Sequence, residues 1–276
     1  MKLNSWRKSS KTNKLNKMNN QLSVIHPDAI IGKDVTISPF VVVEKNVVIG
    51  DGTYIYPNVV IMEGARIGKN CRIFPGAVIA GIPQDLKFVG EETICIIGDN
   101  TTIHECATVN RGTASRGQTV IGNDCLLMAY SHVAHDCILK DNVIIGNATQ
   151  LAGEVEIDNY AILSGGTLVH QFSKIGQQVM VQGGSRIGKD IPPYIIAGRD
   201  PISFSGVNIV GLRRRGFSTE QIAAIQEIYR TLYQSGMNNS DAIKFIEAQL
   251  PDSAEKTNIV DFVVSSKRGI VRGYLE

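Results

Sequence analysis

The chain repeats a six-residue pattern of apolar and polar positions over most of its length. Every sixth residue from Ile25 is aliphatic: Ile31, Ile37, Val43, Ile49, Ile55, Ile61, Ile67, Ile73 and Ile79. The frame resumes at Ile97, Ile103 and Val109, and runs again from Ile121 through Leu127, Val133, Leu139, Ile145, Leu151, Ile157, Leu163, Val169, Ile175 and Val181 to Ile187. The next residue is often glycine, as at Gly32, Gly50, Gly98 and Gly122. The fifth position is small or β-branched (Ala29, Val41, Thr53, Ala65, Ala77, Thr149, Thr167). The five cysteines, Cys71, Cys95, Cys106, Cys125 and Cys137, are assigned to it as inward fillers. A hexad is too short for an amphipathic helix and too regular for ordinary hairpins. It predicts a mainly β chain with one short strand and one turn per hexad. Three hexads close a triangular coil of about 18 residues, and coils stack through parallel strands about 4.8 Å apart. The aliphatic and small positions fill this prism. Its turns take Gly, Asn and Asp, which tolerate positive φ.

The frame fails twice. The first gap is Ile82-Pro83-Gln84-Asp85-Leu86-Lys87-Phe88-Val89-Gly90-Glu91-Glu92, and the second is Arg111-Gly112-Thr113-Ala114-Ser115-Arg116-Gly117-Gln118. A solenoid gains nothing structural from such insertions, so both are read as functional loops extruded from the prism. The hexads stop at Ile191-Pro192-Pro193. Ser218-Thr219-Glu220-Gln221 then forms a capping box. Ile222, Ile225, Tyr229 and Leu232 continue it at helical spacing, and Ser235-Gly236 ends the helix. A second helix is predicted over Asp241 to Leu250 and a third over Asn258 to Ser265. The expected organisation is a disordered basic extension over 1–20, a prism over 21–197, and a helical domain over 198–276. That last domain either caps the prism or packs on a neighbouring subunit.

Composition supports this picture. With 27 glycines and only 6% aromatic residues, the chain suits a turn-rich β structure with small inward side chains. Net charge is +2, and six basic residues (Lys2, Arg7, Lys8, Lys11, Lys14, Lys17) lie ahead of Met18. The remainder is therefore slightly acidic, which argues against a nucleic-acid partner. No stretch approaches the roughly 18 apolar residues of a membrane span, and the basic start lacks a signal peptide's apolar run. No C-x-x-C pair occurs and the cysteine number is odd, so free thiols and a reducing, cytoplasmic location are expected.

The chemistry concentrates at Ser131-His132-Val133-Ala134-His135-Asp136-Cys137. Stacking at the coil period places His135, Gly153 and Gln171 in one column at outward turn positions, with His170 and His132 beside it. Acyl transfer to a hydroxyl suits this column. An imidazole takes the alcohol's proton, and a glycine N–H without a shielding Cβ donates to the oxyanion. Asp136 either orients His135 or belongs to the turn. From spacing alone, the histidines remain open between this role, a metal site and two polar turn residues.

Six segments together carry a more specific resemblance. They are Ile82 to Lys87, Asn110-Arg111-Gly112-Thr113, His132 to Cys137, Val169-His170-Gln171-Phe172, Asp190 to Tyr194, and Gly211-Leu212-Arg213-Arg214-Arg215-Gly216-Phe217. In order and spacing, the chain from roughly residue 22 to 270 resembles the bacterial UDP-N-acetylglucosamine O-acyltransferases. These belong to the hexapeptide-repeat acyltransferases, whose fold is a left-handed parallel β-helix. The handedness is implied by the resemblance alone.

The resemblance implies a cytoplasmic homotrimer with active sites between prisms. It implies transfer of an (R)-3-hydroxyacyl group from acyl carrier protein to the glucosamine 3-hydroxyl of UDP-N-acetylglucosamine, opening lipid A biosynthesis. No metal or resident cofactor is implied; the acyl donor rides on the carrier protein's phosphopantetheine. His135 matches the family's general base and Gly153 its oxyanion donor. Asp85, Lys87, His132, His170 and Gln171 match substrate contacts. Asn208 and Arg214 match nucleotide contacts, and Arg215 beside them suits a pyrophosphate or the acidic carrier. Gly183 matches the position that sets acyl-chain length, where glycine leaves room for about fourteen carbons or more. The family often has histidine at the positions of Asn110 and Glu154, and glutamate at that of Val210. These three are left out of the expected site.

Other classes fit less well. A related N-acyltransferase has an extra N-terminal domain, for which hexads beginning at Ile25 leave no room. A CoA-dependent sugar acetyltransferase needs only a short acyl pocket. A zinc lyase on the same prism needs three convergent imidazoles. His104 and His132, like His135 and His170, are not separated by multiples of the coil period, so stacking within one chain does not gather three. A non-catalytic scaffold would show no loss of activity on replacing His135.

Overall fold

Hexad strands of two to four residues stack in parallel, every third one in the same sheet, into sheets of nine, eight and ten strands, the last of these completed beyond the hexads by two further strands, one of them antiparallel. The computed structural model describes residues 22–273; the expected basic extension lies outside them. Register follows the coil period: Val24 pairs with Val42, Ile25 with Val43, and His132 with Gln150. The fold is a left-handed parallel β-helix with a small helical tail.

The two extruded loops preserve the phase of the repeat. Across the first, Val78 pairs with Thr108 and Cys95 with Ala65. Across the second, Thr102 pairs with Leu126 and Ile96 with Val120. Partners 18 residues apart elsewhere become 30 and 24 apart here. The insertions thus add whole hexads, and the inward face is never exchanged for the outward one.

Inward aliphatics from Ile37 to Ile187 are buried, and the small fifth positions fill the space between them. Threonines in that position satisfy their hydroxyls on the neighbouring coil, as Thr53 Oγ1 does on the Gly68 carbonyl at 2.9 Å. Burial pushes the thiols of Cys71 and Cys125 up to about 11 and those of Cys95 and Cys137 up to about 12. Cys106 departs from the expected assignment. It stands one residue before the fifth position, in a turn with φ +55°, and is exposed. The turn preference is also broader than Gly, Asn and Asp. Phe40, Tyr130, Tyr160 and Phe172 adopt φ between 58° and 66° at the same position. Ladder hydrogen bonds from adjacent coils hold the turn there, as from Phe172 N to the Gly153 carbonyl, and outweigh the intrinsic cost.

The last prism strand, Ile195–Gly198, pairs in parallel with Met180–Val181 and antiparallel with Ser203–Val207. Four helices follow: α1 (Ile209–Arg214), α2 (Thr219–Gln234), α3 (Asn239–Gln249) and α4 (Ala254–Ser265). The Ser218–Gln221 capping box is present in both directions. The short α1 was not anticipated. Helices α3 and α4 begin earlier than expected because Asn238 and Ser253 cap them by accepting from the Asp241 and Lys256 amides. Buried Ile222, Ile225, Tyr229 and Leu232 form the inner stripe of α2. The Tyr229 hydroxyl donates to the Pro193 carbonyl at 2.6 Å, so the helices cap the end of their own prism.

Candidate active site

An open cleft of about 710 Å³ runs along one corner of the nine-stranded sheet. Strand register builds its floor: His132, Gln150, Leu168 and Arg186 are successive partners. His135, Gly153, His170 and Gln171 line its side, and Gln84 reaches in from the first loop. The predicted column is therefore present.

His135 is buried, and its Nδ1 lies 2.8 Å from Asp136 Oδ2. Asp136 is fully buried in the turn with φ +60°. The two alternatives left open for it are both realised: the turn conformation is what aims the carboxylate back at the ring. The second loop folds over that carboxylate. Thr113 N donates to Oδ1 at 3.0 Å, Thr113 Oγ1 to Oδ2 at 2.6 Å, and Arg116 N to Oδ1 at 3.1 Å. A carboxylate so surrounded by donors is an acceptor for Nδ1–H as well. In the neutral ring this contact favours the proton on Nδ1, with the Nε2 lone pair as the acceptor facing the cleft.

Gly153 lies against that lone pair. A Cβ there would sit 2.6 Å from Nε2 and 2.5 Å from Cε1 of His135. At another corner of the prism the amide at this position donates to a side chain of the next coil, as Lys33 N does to Asp51 and Asp141 N to Asn159. Among the described residues, the Gly153 N–H makes no such bond. It is an unengaged donor beside the His135 ring.

The other expected contacts divide. Asp85 Oδ2 stands 3.9 Å from Nε2 across the cleft. His132 Nδ1 bonds Thr108 Oγ1 at 2.7 Å, and burial, with the nearby His135, pushes its imidazole below the ordinary histidine range. A neutral ring there serves to hydrogen-bond rather than to attract charge. His170 is exposed on the cleft, its Nδ1 turned to the Gln171 carbonyl.

Lys87 does not line the cleft; its amide caps Asp85 at 3.0 Å. Asn208 is buried as the α1 cap, accepting from Gly211 N and donating to the Gln178 carbonyl. Arg215 stacks on Tyr160, 5.2 Å from its centroid, and Arg214 is exposed. Gly183 is exposed over the Gly165 carbonyl. His135, Gly183 and the Tyr160–Arg215 pair thus mark three different corners of one prism.

Sequence reasoning missed Thr108, Thr113 and Arg116. The broken frame flagged the second loop but not which of its amides meet Asp136. Asp136→Ala is expected to lower stability by about 2–4 kcal/mol, since buried donors lose their acceptor. Chemical denaturation measures it, and an unchanged midpoint would show the loop donors are satisfied otherwise.

A parallel hexad prism with a histidine–aspartate pair on one corner and a helical cap defines a hexapeptide-repeat acyltransferase. Residues 118–153 match the family described as bacterial transferase hexapeptide (six repeats), and residues 190–271 match UDP N-acetylglucosamine O-acyltransferase, domain 2. The acyl-[acyl-carrier-protein]–UDP-N-acetylglucosamine O-acyltransferase of Chlorobaculum parvum is 54% identical over 255 residues, covering 90% of this chain and 97% of its own. That of Chlorobium phaeobacteroides is 60% identical over 248 residues, covering 90% and 94%. The crystal structure of a UDP-N-acetylglucosamine acyltransferase from Bacteroides fragilis superposes with a TM-score of 0.91 at 56% identity, covering 92% of this chain and all of that one. The chain belongs to the acyl-[acyl-carrier-protein]–UDP-N-acetylglucosamine O-acyltransferase family.

Proposed function

We propose that the protein moves an (R)-3-hydroxyacyl group from acyl carrier protein to the 3-hydroxyl of UDP-N-acetylglucosamine, the first step of lipid A biosynthesis, with His135 as general base. One observation carries the mechanism: a buried imidazole held by Asp136 through Nδ1, with its free Nε2 beside an unengaged glycine amide. The sugar hydroxyl attacks the thioester carbonyl as Nε2 takes its proton. The Gly153 N–H donates to the oxyanion. Collapse breaks the C–S bond, and the imidazolium returns its proton to the departing phosphopantetheine thiol. Ester and thiol are the products, and no residue is acylated. No metal or resident cofactor takes part.

His132, His170, Gln171 and Asp85 surround the space for the sugar. Lys87, Asn208, Arg214 and Arg215 serve the nucleotide and the acidic carrier from elsewhere on the molecule. One prism cannot bring its three corners together, which supports a homotrimer whose clefts lie between neighbours. A cytoplasmic site of action belongs to this reading; among the described residues, no helix is long and apolar enough to cross a membrane.

Mass spectrometry of the product formed from UDP-N-acetylglucosamine and mixed acyl carrier proteins tests the reading. Gly183 adds no side chain to its corner, so donors of about fourteen carbons or more are expected to be preferred. A sharp preference for ten carbons would refute the assignment of chain length. Ping-pong kinetics or a trapped acyl-enzyme would refute direct attack.

A further inference from the structure

We infer that Arg116 is a positioning residue for the reaction, its guanidinium latching the loop that holds Asp136 onto the coil that carries Gly153. This rests on the reading of His135 as the base. The Arg116 amide donates to Asp136 Oδ1 at 3.1 Å. Its side chain reaches the other way. Nη2 meets Glu156 Oε1 at 2.6 Å, and Nε lies 3.8 Å from Glu154 Oε2. Glu154 follows Gly153 directly, and its own amide donates to the His135 carbonyl at 3.0 Å.

The contacts close a ring: His135 to Asp136, Asp136 to Arg116, Arg116 to Glu154 and Glu156, and Glu154 back to His135. Base and oxyanion donor lie on successive coils, and this ring fixes one relative to the other. Lys174 Nζ, 3.4 Å from the second Glu156 oxygen, holds that carboxylate from the far side. Burial opposes the charge on Glu156, but the Arg116 hydrogen bond and the charges of Lys174 and Arg116 outweigh it, leaving the carboxyl below its ordinary range. The latch is thus set between charged partners. The first loop joins the same assembly, because Ala114 N donates to Glu91 Oε1 at 2.9 Å.

The latch is a partly exposed ion pair, with 26% of the Arg116 side chain and 35% of the Glu156 side chain accessible. Such pairs add little to global stability. Its removal therefore acts on geometry, where small displacements of a base are costly in rate. The backbone donor to Asp136 survives any substitution, so Arg116→Ala isolates the side-chain contribution.

The test is a double-mutant cycle on turnover. Arg116→Ala and Glu156→Gln are each expected to lower kcat by about tenfold, with KM for the UDP-sugar within about twofold and melting little changed. The double variant is expected to fall no further than the worse single one, because both changes break one contact. Lys140→Ala, which breaks the comparable pair to Asp158 at 3.0 Å on an outer face, is expected to leave kcat unchanged. Wild-type kcat for Arg116→Ala, additive losses, or a rise in KM alone would overturn the inference. If His135→Ala abolishes turnover while Arg116→Ala keeps the wild-type kcat, only the latch fails. If His135→Ala retains turnover, the reading beneath it fails.

Discussion

His135→Ala is expected to lower kcat by about a thousandfold or more while binding of the UDP-sugar persists. The base is worth about 10² to 10⁴ in rate by itself. The geometry places this imidazole at the upper end of that range. Its Nδ1 is committed to a fully buried carboxylate that accepts from the second loop as well, so the productive tautomer is set before substrate arrives. No other imidazole replaces it. His132 is held through Nδ1 by Thr108, and His170 lies exposed further along the cleft. The cleft walls that contact the sugar remain, so ground-state binding is expected to change far less than turnover. Steady-state kinetics with calorimetric titration of the UDP-sugar checks both halves. Near-normal turnover would remove His135 from the mechanism.

Gly153→Ala is the sharper geometric experiment. It leaves His135, Asp136 and the amide of residue 153 chemically intact. Gly153 is not among the positive-φ positions, so alanine does not strain the backbone. The new methyl would lie 2.5 Å from Cε1 and 2.6 Å from Nε2 of His135, well inside van der Waals contact. The ring must turn or retreat, and its bond to Asp136 suffers. A loss of about 10²-fold in kcat is expected, with a small change in melting temperature. Unaltered kcat would mean that the position of the ring against Gly153 has no bearing on the rate.

Several features of this site were legible before the fold was seen. The column of His135, Gly153 and Gln171 followed from the coil period, because stacking repeats the same backbone position at a fixed interval. The broken frame marked where two loops leave the prism, the second of which covers Asp136. Cys106 was misplaced because the frame was applied to every cysteine alike, although it falls one position early. Helix starts were misjudged where the cap, Asn238 or Ser253, preceded the apolar stripe. The expected nucleotide contacts Asn208, Arg214 and Arg215 lie on the tail rather than on the His135 cleft. Asn208 caps α1 and Arg215 stacks on Tyr160.

The hexad alone determined the prism, its core, its phase across two insertions and the column of candidate residues. These are consequences of a short period repeated many times, where each coil meets only its neighbours and local pattern is enough. The tertiary structure decided what the loops do. Thr113 meets Asp136 across 23 residues and Arg116 meets Glu156 across 40, distances over which no period operates. A buried carboxylate needs its donors supplied by whatever segment folds over it. Which segment that is depends on the path of an irregular loop, and only its folded path turns a histidine on a turn into a buried imidazole held by a fully hydrogen-bonded carboxylate.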